Sequence, residues 1–263
     1  MLHKIIRVSS KIYLLRRKTV KYNKPLCYSK RKPPFQERKE IALHRLICFG
    51  DSLTAGYGAA PKEGWIPILS RQYPGLSLTN RGLCGACLPD ILDDLSFFLS
   101  RPAEDLLLFI MGGTNDILSG VRLTVLKTLI ESSVKKSISV SANMLIGIPP
   151  LTVRSSILSG WQGDWQYEDT NRSLKEYGSF LRDTAASAGY PVIDFQKAFT
   201  NAPDSLYDDG VHPNASGYRI FAQAAAQVLD PFLEKEKTAV RPSLHQDSSS
   251  VPHKAENTVR GHS

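Results

Sequence analysis

The stretch ICFGDSLTAGYG (Ile47 to Gly58) passes from an apolar run into glycine-rich turn chemistry, with one serine, Ser52, at the junction. A serine hydroxyl acts as a nucleophile only with a base in hydrogen-bond reach and a third group to orient that base. The chain holds six histidines. His3 sits in a basic N-terminal arm, and His245, His253 and His262 sit in a polar C-terminal stretch. His44 begins the same apolar run that ends near Ser52; at about 3.3 Å per strand residue it lies roughly 20 Å away, at the wrong end. That leaves His212, in DDGVHPNASGY. Asp209 precedes it by three residues, so one loop turn brings a carboxylate to the imidazole, and Asp208 reads as a solvated neighbour. Pro213 biases His212 away from helical angles, and Asn214 or Ser216 is placed to cap a last helix. The competing reading of this segment is a surface Asp-Gly turn with a solvated histidine.

An attacked carbonyl also needs donors for its developing negative charge. Asn115 supplies a side-chain amide behind Gly112 and Gly113, whose small size lets backbones approach closely. Gly85 offers a backbone N–H from a second loop, and Ser52 its own. An Asx-turn is the alternative role for Asn115, and Asp116 is expected to hold that loop in shape.

These residues need a frame that gathers them. Five apolar runs read as buried strands: Leu46–Phe49, Leu76–Thr79, Leu106–Met111, Met144–Ile148 and Val192–Phe195. Between them, Leu123, Leu126, Ile130 and Val134 share one helix face. Leu174, Tyr177, Leu181 and Ala185 share another, stopped by Gly189, and a final helix carries Phe221, Ala225, Val228 and Leu229. This alternation predicts an α/β fold, a parallel sheet of about five strands covered on both faces in one domain. In such folds the crevice lies at the carboxyl ends of the strands. Gly50-Asp51-Ser52, the Asn80–Gly85 segment and Gly112–Asp116 all follow strands there.

Composition bounds the rest. The net charge of +8 over 263 residues is concentrated in residues 1–40, where 13 Lys and Arg face 2 Glu. Residues 41–233 carry 15 basic against 19 acidic groups. The folded part is therefore mildly acidic, which argues against nucleic-acid binding. No run approaches the roughly 20 apolar residues of a membrane span, so no stable membrane insertion is expected. The arm fits three readings: a disordered segment, an organelle-targeting peptide or sequence upstream of the true start. Residues 234–263 lack apolar periodicity and are expected to be disordered. Four cysteines are too few for a disulfide framework, so a reducing, cytoplasmic setting is the default. No metal constellation or phosphate-binding loop appears, and no cofactor is expected.

The blocks GDSLTAG, GLCGA, GGTND and DGVHP, in this order and spacing, resemble those of the GDSL family of SGNH hydrolases over about residues 43–233. The resemblance implies a flavodoxin-like three-layer sandwich and hydrolysis of an acyl ester or thioester without a cofactor. It implies Ser52 as nucleophile, His212 as base oriented by Asp209, and an oxyanion hole from the Ser52 and Gly85 amides and the Asn115 side chain. Cys84 departs from the family pattern, as does the basic arm. The connection from Pro149 to about Thr170 carries Trp161, Trp165 and Tyr167; long connections tend to be functional, so these aromatics are expected to wall a substrate pocket or to cap the sheet edge. Carbohydrate O-deacetylation is an alternative within the same fold. Cys84-Gly85-Ala86-Cys87 has redox spacing and supports a rival thiol–disulfide function, and a non-catalytic binding scaffold is a third reading.

Overall fold

The computed structural model describes residues 44–239. The basic arm and the chain beyond residue 239 lie outside the described residues. The chain runs through β1 (Arg45–Gly50), a single helical turn α1 (Ser52–Ala55), α2 (Trp65–Gln72), β2 (Ser77–Gly82) and α3 (Leu88–Leu99). Then come β3 (Leu106–Met111), the short α4 (Thr114–Leu118), α5 (Leu123–Ser139), β4 (Asn143–Ile148), α6 (Ser155–Leu158) and α7 (Asp164–Ala188). It closes with β5 (Val192–Asp194), α8 (Phe195–Ala198), a 3₁₀ turn at Asp204–Leu206 and α9 (Ala215–Ala239).

All four strand pairings are parallel, in the order β2-β1-β3-β4-β5. Strand residues alternate between two cores, as the two-residue strand period requires. Ile47 and Phe49 of β1, with Leu106, Leu108 and Ile110 of β3, face the layer of α3, α5 and α7. Leu46, Cys48, Leu107, Phe109 and Met111 face the layer of α2 and α9. Every residue of β3 is buried, and burying one Leu or Phe side chain contributes about 1.5–3 kcal/mol. The central strands are therefore the rigid base of the molecule.

The helical periodicity is realised on α5 through Leu126, Ile130 and Val134, with Leu123 only partly buried. On α7 it is realised through Leu174, Tyr177, Leu181 and Ala185, ended by Gly189 at φ +72°. Several boundaries differ from the sequence expectation. β2 starts at Ser77, runs past Thr79 to Gly82 and is a largely exposed edge strand rather than a buried one. Phe195 opens α8 instead of ending β5. The long connection after β4 is not loop throughout: α6 interrupts it and α7 starts at Asp164, so Trp165 and Tyr167 are helical. The start is set by Gln166, whose Oε1 accepts from the Gly163 amide at 2.9 Å and satisfies a donor ahead of the helix. At the other end, α9 continues past residue 233 to Ala239.

The strand order reverses between β1 and β3, the topological switch point at which open α/β sheets place their crevice. The register sets Gly50 level with both Gly82 and Met111. Ser52, the segment after β2 and the segment after β3 thus leave the sheet at one height.

Candidate active site

Asp51 and Ser52 have different local tasks. Asp51 is the cap of α1: its Oδ1 accepts from the Leu53 amide at 2.9 Å. Ser52 is the first helical residue, so its amide belongs to the set that a helix leaves without an intrahelical acceptor. Among the described residues neither the Ser52 amide nor the Gly85 amide finds an acceptor.

The Ser52 Oγ lies 2.8 Å from His212 Nε2. His212 Nδ1 lies 2.8 Å from Asp209 Oδ2. With Nδ1–H given to the carboxylate, Nε2 is left as an acceptor for the serine hydroxyl. Both ends are shielded from water, Ser52 being 6% and His212 2% exposed. The Asp209–His212 segment folds on itself: Asp209 Oδ1 accepts the amides of Val211 at 3.0 Å and His212 at 2.9 Å. Burial pushes the Asp209 carboxyl up, but the hydrogen bonds from the His212 ring and amide, the imidazole charge and the Val211 amide outweigh it and hold the group at about 2. Asn214 caps α9 by accepting from the Ser216 and Gly217 amides, which fixes where His212 leaves the turn. Asp208 is exposed, as a solvated neighbour would be.

Asn115 approaches from the β3 side. Gly113 adopts φ +104°, and a Cβ there would lie 2.7 Å from the Tyr177 ring, so only glycine fits. Asn115 Nδ2 donates to the Ala86 carbonyl at 2.9 Å, which ties it to the Gly85 segment and leaves its second N–H free to donate. Asp116 Oδ2 accepts the Leu88 amide at 2.8 Å, holding the start of α3 against the same loop.

Asp51 itself is almost fully buried, and its Oδ2 has no partner among the described residues. Burial raises its carboxyl to about 6, against the lowering effects of the Leu53 amide and the His212 charge.

Of the three aromatics after β4, Trp161 reaches the triad-like cluster: its Nε1–H donates to Asp209 Oδ2 at 2.8 Å and its ring meets the His212 ring at 5.0 Å. Trp165 is 81% exposed on the first turn of α7. Tyr167 lies under the Arg154 guanidinium, 5.0 Å from it. A residue that the sequence reading passed over is Tyr57, whose ring meets His212 at 4.7 Å. Its place five residues after Ser52, inside the glycine-rich stretch, was the available signal.

Cys84 and Cys87 are free thiols. Cys87 precedes α3, where a thiol is ordinarily acidified. Here burial, then Asp116, Asp90 and Asp51, push it up to about 11, and burial and Asp51 also raise Cys84. This environment favours the unreactive thiol form. Among the described residues no group of three or more His, Cys, Asp or Glu side chains is placed to hold a metal, and no helix is long and apolar enough to cross a membrane.

Fold and site together define a three-layer α/β/α sandwich with an Oγ–imidazole–carboxylate line at its switch point. The profile of the GDSL-like Lipase/Acylhydrolase family matches residues 48–220, and the chain belongs to that family of ester hydrolases. A lipolytic protein of the G-D-S-L family from Veillonella parvula shares 26% identity at a TM-score of 0.62, covering 71% of this chain and 98% of that one. The psychrotrophic esterase EstA from Pseudoalteromonas sp. (20% identity, TM-score 0.55, covering 73% and 99%) shares the fold. So does the acetylxylan esterase Axe2 from Geobacillus stearothermophilus (20%, 0.57, covering 73% and 96%). Among curated proteins no match is found.

Proposed function

We propose that this chain hydrolyses carboxylic esters or thioesters through an acyl-enzyme on Ser52. The observation that carries this reading is the unbroken line of two 2.8 Å contacts from Ser52 Oγ through His212 to Asp209. Ser52 Oγ attacks the acyl carbon while His212 Nε2 takes its proton, and Asp209 stabilises the imidazolium. The oxyanion is met by the Ser52 and Gly85 amides and by the free N–H of Asn115, donors already fixed before substrate arrives. His212 then protonates the departing alcohol or thiol, and water repeats the sequence to free Ser52. No step calls for a metal or redox group. The substrate is a small acyl ester, and the acidic balance of residues 41–233 disfavours nucleic acid as a partner. The four scattered cysteines favour a cytoplasmic setting.

The test is a fluorophosphonate probe, which labels an activated serine without a known substrate, followed by p-nitrophenyl esters of increasing chain length, an acyl-CoA and an acetylated xylose. Labelling that is absent, or that survives Ser52→Ala, overturns the proposal. Turnover confined to the acetylated sugar would assign the deacetylase reading.

A further inference from the structure

Asp209 Oδ2 accepts two side-chain donors, each at 2.8 Å: His212 Nδ1 and Trp161 Nε1. The other donors to this carboxylate, the Val211 and His212 amides, come from its own turn. Trp161 comes from the connection after β4, 48 residues earlier.

That connection is built to hold the indole in place. Gln162, next to Trp161 and buried, donates to Thr152 Oγ1 and to Ser156 Oγ, both at 2.8 Å. The Trp161 amide closes on the Ser156 carbonyl at 3.0 Å, and the Val153 amide on the Gly210 carbonyl at 2.9 Å. The second bond stitches the connection to the turn that carries Asp209. Gly210 sits at φ +84°, and a Cβ there would lie 2.0 Å from the Ser156 amide nitrogen, so the two segments touch backbone to backbone. A side chain held this way is pre-organised, and mere lining of a substrate pocket does not require its N–H to point at a carboxylate.

We infer that Trp161 is a positioning residue, whose indole N–H fixes the Asp209 carboxylate and lowers its pull on the His212 proton. This rests on the catalytic reading above. A second donor on Oδ2 shares the carboxylate charge that faces Nδ1–H. It also holds the carboxylate in the plane that presents Oδ2 to Nδ1. The titratable groups that face His212 are Asp209, Asp51 below the Ser52 turn, Asp208, whose amide donates to the His212 carbonyl, Tyr57 and, behind it, Tyr218. Of these, only Asp209 loses a partner directly when Trp161 is replaced by an apolar ring.

The experiment is Trp161→Phe in the full chain, with kcat, KM and the pH profile of kcat/KM on a p-nitrophenyl ester. The expected result is a kcat lower by about tenfold, as for loss of other groups that orient a reacting residue, with KM little changed. The pH at which kcat/KM rises moves upward. A raised KM with unchanged kcat and pH profile would make Trp161 a pocket wall and overturn the inference, as would no change at all. If Ser52→Ala keeps its activity, the catalytic reading itself fails, an outcome separate from either. Should Trp161→Phe not fold, the wild-type indole N–H resonance of Trp161, assigned by its contacts to the His212 ring, must move with pH in step with His212; a resonance indifferent to that titration overturns the inference.

Discussion

Ser52 and His212 stand 160 residues apart in the chain, yet their Oγ and Nε2 atoms lie 2.8 Å apart. The contact forms because β1 and the turn before α9 both end at the carboxyl edge of the sheet, one delivering a helix start and the other a folded carboxylate–imidazole turn. In the proposed mechanism two groups held this closely act as one unit, and that has a measurable consequence. Ser52→Ala and His212→Ala are each expected to lower kcat by several orders of magnitude, on the order of 10⁴ or more. The double variant should be little worse than either single one. Single-turnover and steady-state kinetics on one ester decide this; strictly multiplicative losses would mean the two side chains act independently.

Asn115→Ala removes one of the three proposed oxyanion donors and is expected to cost on the order of a hundredfold or more in kcat. Because Asn115 also holds the Ala86 carbonyl, melting temperatures are measured beside kcat to separate misfolding from lost catalysis; Asn115→Asp, which keeps the size and loses both donors, should be at least as impaired. An Asp variant as active as wild type would remove Asn115 from the oxyanion hole.

Asp209 is held at about 2 in the folded chain, against about 3.9 for an unfolded aspartate. The folded state thus favours the ionised form. The stability this contributes is fully present above about pH 4 and is lost as pH falls through about 2. The stability gap between wild type and Asp209→Asn should therefore narrow as pH drops across that window, followed by acid-induced unfolding. At neutral pH the same variant should lose activity steeply, since asparagine favours the wrong imidazole tautomer. A gap that widens with acid would contradict the assigned ionisation.

Asp51 has the opposite sign. Burial lifts its carboxyl to about 6, so the folded state favours the protonated form. That contribution is present below the unfolded value of about 3.9 and is lost as pH rises to about 6. Asn retains the acceptor for the Leu53 amide, and any fixed cost of its unpartnered amide is independent of pH. Melting temperatures of wild type and Asp51→Asn, measured from pH 4 to pH 8, should shift relative to each other in favour of the variant as pH rises, with most of the change complete near pH 7. A constant offset would show that Asp51 does not titrate in this range.

Changing Cys84 and Cys87 together to serine preserves the Gly85 backbone and should leave ester turnover within about threefold of wild type, because neither thiol is in its reactive form. Loss of all turnover with Ser52 intact would instead favour the thiol reading.

The chain's own order of residues was enough to nominate Ser52, His212, Asp209, Asn115 and Gly85 as candidates, because nucleophile, base and oxyanion chemistry admit few residue types and only one suitably placed histidine was left; the structure brings the first three into one hydrogen-bonded line. Periodicity was enough to locate the five strands and the helices carrying Leu126 and Leu174, since the spacing of apolar residues is set by local geometry, but it misjudged the bounds and the exposure of the edge strand β2. It did not reveal the helical start at Asp164, where a glycine cap and Gln166 replace the usual hydroxyl or carboxylate signal. Tertiary structure alone decided the order β2-β1-β3-β4-β5, and with it which loops share an edge. It alone turned the Trp161 indole toward Asp209 and sealed Asp51 from water, because side-chain direction in an irregular connection and the burial of a carboxylate are set by distant neighbours. Gly210 against Ser156 is a contact between segments that no local window of the sequence contains.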